Sequence, residues 1–367
     1  MSADDLNGEG AMGVRRVIAA LVAAAMLTGP ATAETFSFVA LGDTAYTLPR
    51  DLPAYDALIG HINAAKPAFS IHVGDTWGAE PCTEASHQYA LGQFAKFDHP
   101  VVYTPGDNEW VDCRKPEVLE AYHRYVDGKA TPQDLGLLLP IRAFDGAFSG
   151  AGYADPLGSL ATIRRLYFGK PMSLGQRPMP LVRQTDVDPA QPTAENTRWN
   201  KDGVVFATLS VPGSGNGFAL NDEVKIKEAV ARNRANVAWI KATFAEAKAK
   251  DAKAVVLALQ AGMFLDGPGQ DGFSKKEVRG GSEGPFYWVV FAIRDEAARF
   301  GKPVLLINGD FHDLVVDRPF MVSQGESKPA LYANITRLQV FGAPELKAVR
   351  VGVDTTTPWV FSFQPLW

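Results

Sequence analysis

Four Gly-Asp pairs punctuate this sequence: Gly42-Asp43, Gly74-Asp75, Gly106-Asp107 and Gly309-Asp310. Each comes at or just after the end of a short apolar run, so each is expected at the C-terminal end of a β-strand, the edge of an open α/β sheet where ligands bind. Glycine lets the backbone turn sharply there and leaves the next side chain facing the crevice. One strand-end aspartate is ordinary turn or helix-cap chemistry. Four at one edge are not, because carboxylates ~4 Å apart repel by about 4 kcal/mol per pair at an effective dielectric of 20. Something positive must balance them. Carboxylate oxygens suit Mg, Mn or Ca, and an added imidazole favours Zn, Fe or Mn. His312 lies two residues beyond Asp310, on the same face of an extended segment, and is the expected imidazole ligand.

Such residues need a frame that brings them to one edge. Phe36 to Leu41, Phe69 to Val73 and Val101 to Tyr103 read as short buried strands. Between the first two, Tyr55, Leu58, Ile59 and Ile62 fall on one helical face that Pro67 stops. Strand, helix, strand at this spacing predicts βαβ units and a largely parallel sheet of an α/β fold. From about Gly128 to Asn200 the chain is rich in Gly and Pro with weak periodicity, and is read as an irregular insertion. Val204 to Leu209, Ala254 to Leu259 and Val304 to Ile307 predict further strands. A helix follows the first of them, capped by Asn221 or Asp222, with Val230, Val237, Ile240 and Phe244 on one face. A second has Phe286, Val290, Ile293, Ala297 and Phe300, closed by Gly301. Alternation around Leu338 to Phe341 and Val349 to Val353 predicts an antiparallel tail.

The ordered motifs resemble those of the calcineurin-like metallophosphoesterases, which run D-x-H, G-D-x-x, G-N-H-[DE], a later His, and G-H-x-H. Here they stand as Asp43-Thr44-Ala45, Gly74-Asp75-Thr76-Trp77, Gly106-Asp107-Asn108-Glu109, Gln260, and Gly309-Asp310-Phe311-His312. The resemblance implies a two-sheet β-sandwich flanked by helices, a four-layer αββα fold, over residues 34–367. It implies one or two divalent metals: Asp75 bridging, Asp43 and His312 on one ion, Asp107, Asp310 and Gln260 on the other. Ala45 removes one imidazole ligand, and the O-rich set shifts the preference towards Mn or Mg, with Fe or Zn as alternatives. Asn108 stands where the family has a transition-state histidine and, with His312, is the implied catalytic side chain. An amide lacks the proton an imidazolium donates, help typically worth ~10²–10⁴-fold. Arg114 and Lys115 follow the third motif, as substrate-phosphate ligands or as solvated charge. Trp77 and Trp110 are read as packing wedges, with lining of the pocket as the alternative, and His72 as facing away from the site.

At the N-terminus, Arg15 and Arg16 precede an apolar run from Val17 to Leu27, and Ala31-Thr32-Ala33 supplies a small-residue cleavage site. Residues 1–33 therefore read as a secretory signal peptide, its apolar core too short to span ~30 Å of bilayer. A net charge of -5, about -4 once three acids and two arginines leave with the leader, argues against a general nucleic-acid binder. An exported chain, periplasmic or secreted, meets an oxidising compartment, where Cys82 and Cys113 pair or stay as two buried thiols. The leading expectation is an exported metal-dependent phosphoesterase acting on small phosphomonoesters or diesters through metal-activated water. The alternative is a binding or structural protein that keeps the fold and has lost turnover, which Ala45, Asn108 and Gln260 favour.

Overall fold

The computed structural model describes residues 35–78, 82–113, 120–121, 124, 128–138, 155–218, 222–266, 276–278, 284–320 and 332–367. The chain divides into residues 1–33 and 34–367. The expected leader, Arg114 and Lys115 lie outside the described residues.

Three short runs of β-branched and aromatic residues, β1 (Phe36–Leu41), β2 (Ser70–His72) and β3 (Val101–Tyr103), pair in parallel. The hairpin β13 (Ala348–Asp354) and β14 (Val360–Leu366) joins β1 antiparallel, giving a sheet ordered β14-β13-β1-β2-β3. A second sheet gathers β4 (Val182–Arg183), β5 (Thr197–Lys201), β6 (Val204–Thr208), β7 (Ala254–Ala258), β10 (Val304–Asn308), β11 (Val315–Asp317) and β12 (Ile335–Gln339). Its order is β11-β12-β10-β7-β6-β5-β4, with β6, β7, β10 and β12 parallel. A short ribbon pairs β8 (Phe264–Asp266) with β9 (Lys276–Val278).

The two sheets pack face to face. Phe38 and Phe69 of the first stack 5.2 Å apart, and both meet the edge of Phe206 from the second. Ile71, Val102, Val256 and Leu305 complete this inner core. Helices α1 (Leu52–Ala64), α2 (Glu84–Phe94) and α4 (Pro156–Leu166) cover the other face of the first sheet. Helices α6 (Glu223–Ala249) and α7 (Tyr287–Phe300) cover the second. Short helices α3 (Pro132–Leu138) and α5 (Gln184–Val187) and a single helical turn at Gly213–Asn216 are also present. The protein is thus a mixed α/β sandwich of two multi-stranded sheets between helices.

Four local expectations are revised. The stretch 128–200 carries regular structure: α4 starts on the Asp155 side chain, which accepts from Gly158 N, with Pro156 in its first turn and Leu160 and Ile163 buried. β5 escaped notice because its sequence, Thr-Arg-Trp-Asn-Lys, is polar, yet Arg198 is 8% exposed and its guanidinium lies over Trp239 at 4.3 Å. β12 runs parallel to β10, so the antiparallel tail begins only at β13. The face α6 buries is partly polar: Arg232, Asn233 and Asn236 precede Trp239, Ile240 and Phe244, while Val230 and Val237 are only half-buried. Its Asp222 cap accepts from Val224 N and Lys225 N as expected.

Candidate functional site

β1, β2 and β10 each end just before a Gly-Asp pair, and β3 ends three residues before one, so the fold delivers all four aspartates to one end of the sandwich. Three of them, Asp43, Asp75 and Asp310, sit in the left-handed region at φ 51°, 54° and 77°, as does His312 at 67°. Asp and His tolerate that region better than most residues, and such conformations concentrate at sites that hold a side chain in a fixed direction. Asp43, Asp75 and Asp107 are all buried.

Hydrogen-bond donors from the chain itself occupy the space among these acids. Gln260, fully buried after β7, donates from Nε2 to Asp75 Oδ2 at 3.1 Å and to Asp107 Oδ1 at 3.0 Å. Its orientation is fixed: Oε1 accepts the N–H of Gly213, a group that only donates, so the amide nitrogen must face the carboxylates. Gly213 is required there, since a Cβ would stand 2.6 Å from Asp310 Oδ1 and 2.8 Å from Asp107 Oδ2. On the other side, the Tyr46 phenol donates to Asp75 Oδ2 at 2.7 Å and lies 3.2 Å from His312 Nε2. Its ring meets the imidazole edge-on at 4.9 Å. His312 Nδ1 is 2.7 Å from the Ala343 carbonyl, which can only accept, so Nδ1 carries a proton and Nε2 faces Tyr46 and, at 3.7 Å, Asp43 Oδ1. Asp43 Oδ1 accepts from Asp310 N, Asp75 Oδ1 from Asn108 N, and Asp310 Oδ2 from Gly262 N.

The electrostatics follow from burial and crowding. Burial pushes the Asp43 carboxyl well above the usual carboxylate range, and Asp310, Asp107 and Glu109 push it further. Burial and the Asp107, Asp43 and Glu109 charges do the same for Asp75, against the pull of the Tyr46 hydrogen bond. Burial, then Asp75, raises the Tyr46 phenol. Burial and crowding thus hold the Asp43 and Asp75 carboxyls and the Tyr46 phenol towards their protonated forms.

The remaining expected residues fall as follows. The Asn108 side chain points away from the acids and donates to Trp77 O at 2.9 Å, while its own carbonyl accepts from Trp77 Nε1. It braces two loops. Trp77 and Trp110 are buried wedges, the second under the Arg232 guanidinium at 5.1 Å. His72 is buried against Phe94 and Tyr103, its Nδ1 accepting from Gly74 N, and burial lowers it to about 3. Cys82 and Cys113 form a disulfide that ties the second motif loop to the third.

Two contributors were missed. Tyr46 follows the first motif directly, and a phenol beside four acids was the available signal. Glu109 is buried and accepts from the backbone N–H groups of Asp75, Thr76 and Gly106 and from the Thr76 hydroxyl. Burial raises it and these four donors draw it back. It knots the two loops that present Asp75 and Asp107.

This donor set does not fit a two-metal centre. Among the described residues no three His, Cys, Asp or Glu side chains gather in a metal-holding arrangement. Gln260 offers its nitrogen where a ligand must offer oxygen, and Tyr46 bridges Asp75 and His312.

No family model and no curated relative matches the chain. Among solved structures it is similar to GAP50, the anchor in the inner membrane complex of Plasmodium, at 10% identity and a TM-score of 0.40, over 90% of this chain and 88% of that one.

Proposed function

We propose that this chain is an exported binding or structural protein on a metallophosphoesterase-like αββα scaffold, in which internal donors have taken the place of the metals. The observation that carries the reading is the Gln260 amide, held by Gly213 so that Nε2 donates to both Asp75 and Asp107. A cation at that point would meet an N–H dipole of the wrong sign. The position of Asn108 agrees, because its side chain is spent on Trp77 and is not presented to a substrate. The leader-like N-terminus and the disulfide support export. No described helix is long and apolar enough to cross a membrane.

One observation favours the second reading, a metal-dependent phosphoesterase. Asp43 Oδ2 is buried without a hydrogen-bond partner, an arrangement that a cation would relieve. Two measurements separate the readings. Metal content and melting temperature are followed with Mn, Mg or Zn added or stripped, and an activated aryl phosphomonoester and phosphodiester are offered under the same conditions. The proposal expects no turnover and a melting point indifferent to metal. Metal-dependent turnover that disappears in Asp75→Asn overturns it and establishes the enzyme.

A further inference from the structure

At the opposite end of the sandwich from the acids, beside the N-terminal ends of β1 and β2, lies a recess of about 680 Å³. That is the size of pockets that take a small ligand. Its wall brings together three cations distant in sequence: Lys66 after α1, Lys201 at the end of β5 and Arg350 on β13. The lining has one acid, Asp354, whose carboxylate accepts from Thr356 N at 2.9 Å and from the Thr356 hydroxyl. Lys201 pairs with Asp202 at 2.8 Å and lies 5.0 Å from the centre of the Phe36 ring. Arg350 donates from Nε to Ser37 Oγ, and neither it nor Lys66 has an ion-pair partner among the described residues. In a chain of net charge -5, three cations around one hollow are a local reversal of sign.

The recess also has a built floor. Gly352 lies between Ser37 of β1 and Ser362 of β14, and a Cβ there would stand 2.5 Å from Ser362 Oγ. The absent side chain keeps the hollow open and leaves the two hydroxyls to donate. Phe36 and Phe363 line the recess from the other face of the sheet, the one turned to the inter-sheet core, and Lys201 lies against the Phe36 ring there. Three cations and two hydroxyls exceed what one carboxylate engages and suit the several oxygens of a phosphoryl group, with the rings left for an apolar substituent.

We infer that this recess is a binding site for a phosphomonoester-type anion carrying a small apolar group, with Lys66, Lys201 and Arg350 holding the phosphoryl oxygens. It lies at the other end of the sheets from the acidic cleft and does not rest on the reading of that cleft. The test is equilibrium titration of the protein with inorganic phosphate and phenyl phosphate, and with vesicles of phosphatidylcholine with or without phosphatidic acid. Wild type is compared with Lys66→Ala/Arg350→Ala, whose exposed positions leave the fold intact, as an unchanged melting temperature verifies. The expected result is saturable binding that weakens at least tenfold in the double variant and falls with added salt. Response to phenyl phosphate identifies a soluble ligand; response to phosphatidic acid vesicles alone identifies a lipid headgroup as the source of the same chemistry. Absence of saturable binding in every arm, or equal binding by the variant, overturns the assignment. Phosphoester turnover on the same preparations reports on the cleft alone.

Discussion

Gly213 donates its backbone N–H to Gln260 Oε1, and this contact decides what Gln260 offers to Asp75 and Asp107. Replacing the amide with a carboxylate reverses the offer. In Gln260→Glu a further acid faces two others, and the buried cluster loses a donor to each. The expected outcome is a loss of ~2–4 kcal/mol in metal-free buffer, from unpaired buried charge and two lost charge-assisted bonds. Added Mn should now raise the melting temperature, whereas wild type should be indifferent to it. A variant as stable as wild type without metal contradicts this account.

Tyr46→Phe removes the hydroxyl between Asp75 and His312 and leaves the ring in place. The cost should be ~1–3 kcal/mol, that of leaving a buried carboxylate oxygen one donor short. Urea unfolding measures it. An unchanged midpoint excludes Tyr46 as a balancing group.

Glu109→Gln tests the knot between the second and third motif loops. Four donors converge on this carboxylate, and an amide can present only one oxygen to them. At ~1.5–3 kcal/mol for a hydrogen bond to a charged group, the variant should lose at least ~2 kcal/mol by chemical denaturation. Amide exchange should quicken at Asp75, Thr76 and Gly106 together.

The buried His72 predicts a pH dependence. Its folded-state pKa is lowered from 6.5 to about 3 by burial, so the unfolded chain binds the extra proton first. The contribution is fully present above pH 6.5 and is lost as pH falls towards about 3, amounting to ~2 kcal/mol at pH 5. His72→Asn keeps an acceptor for Gly74 N and removes the titration. The stability difference between pH 7 and pH 5 should shrink by that amount in the variant; equal profiles rule out the assignment.

β1, β2, β3 and β10 were legible because they are short, apolar and followed by Gly-Asp, and α7 because its apolar stripe and Gly301 cap are uninterrupted. The polar elements were hidden. Arg232 is fully buried yet reads as surface in any apolar count, because its partners Glu228, Asn216 and the Ser210 carbonyl come from one helical turn away and from a loop ending sixteen residues earlier. Arg198 hides β5 in the same way. At the site, residue type showed which acids gather and not what balances them. Whether Gln260 turns its oxygen or nitrogen inward depends on Gly213, and nothing in the Gln260 segment encodes that. Asn108 likewise reads as a site residue from its motif, and only the Trp77 carbonyl reveals its use.

The Cys82–Cys113 bond closes a ring that contains α2, β3 and the third motif, with its Asn108 and Glu109. A protease that nicks this ring, anywhere from Thr83 to Asp112, leaves the chain a single covalent molecule, with Asp75 and Asp107 on segments still fastened at the disulfide. Only reduction would release the two pieces, so a cut in this stretch is silent on a non-reducing gel and visible on a reducing one.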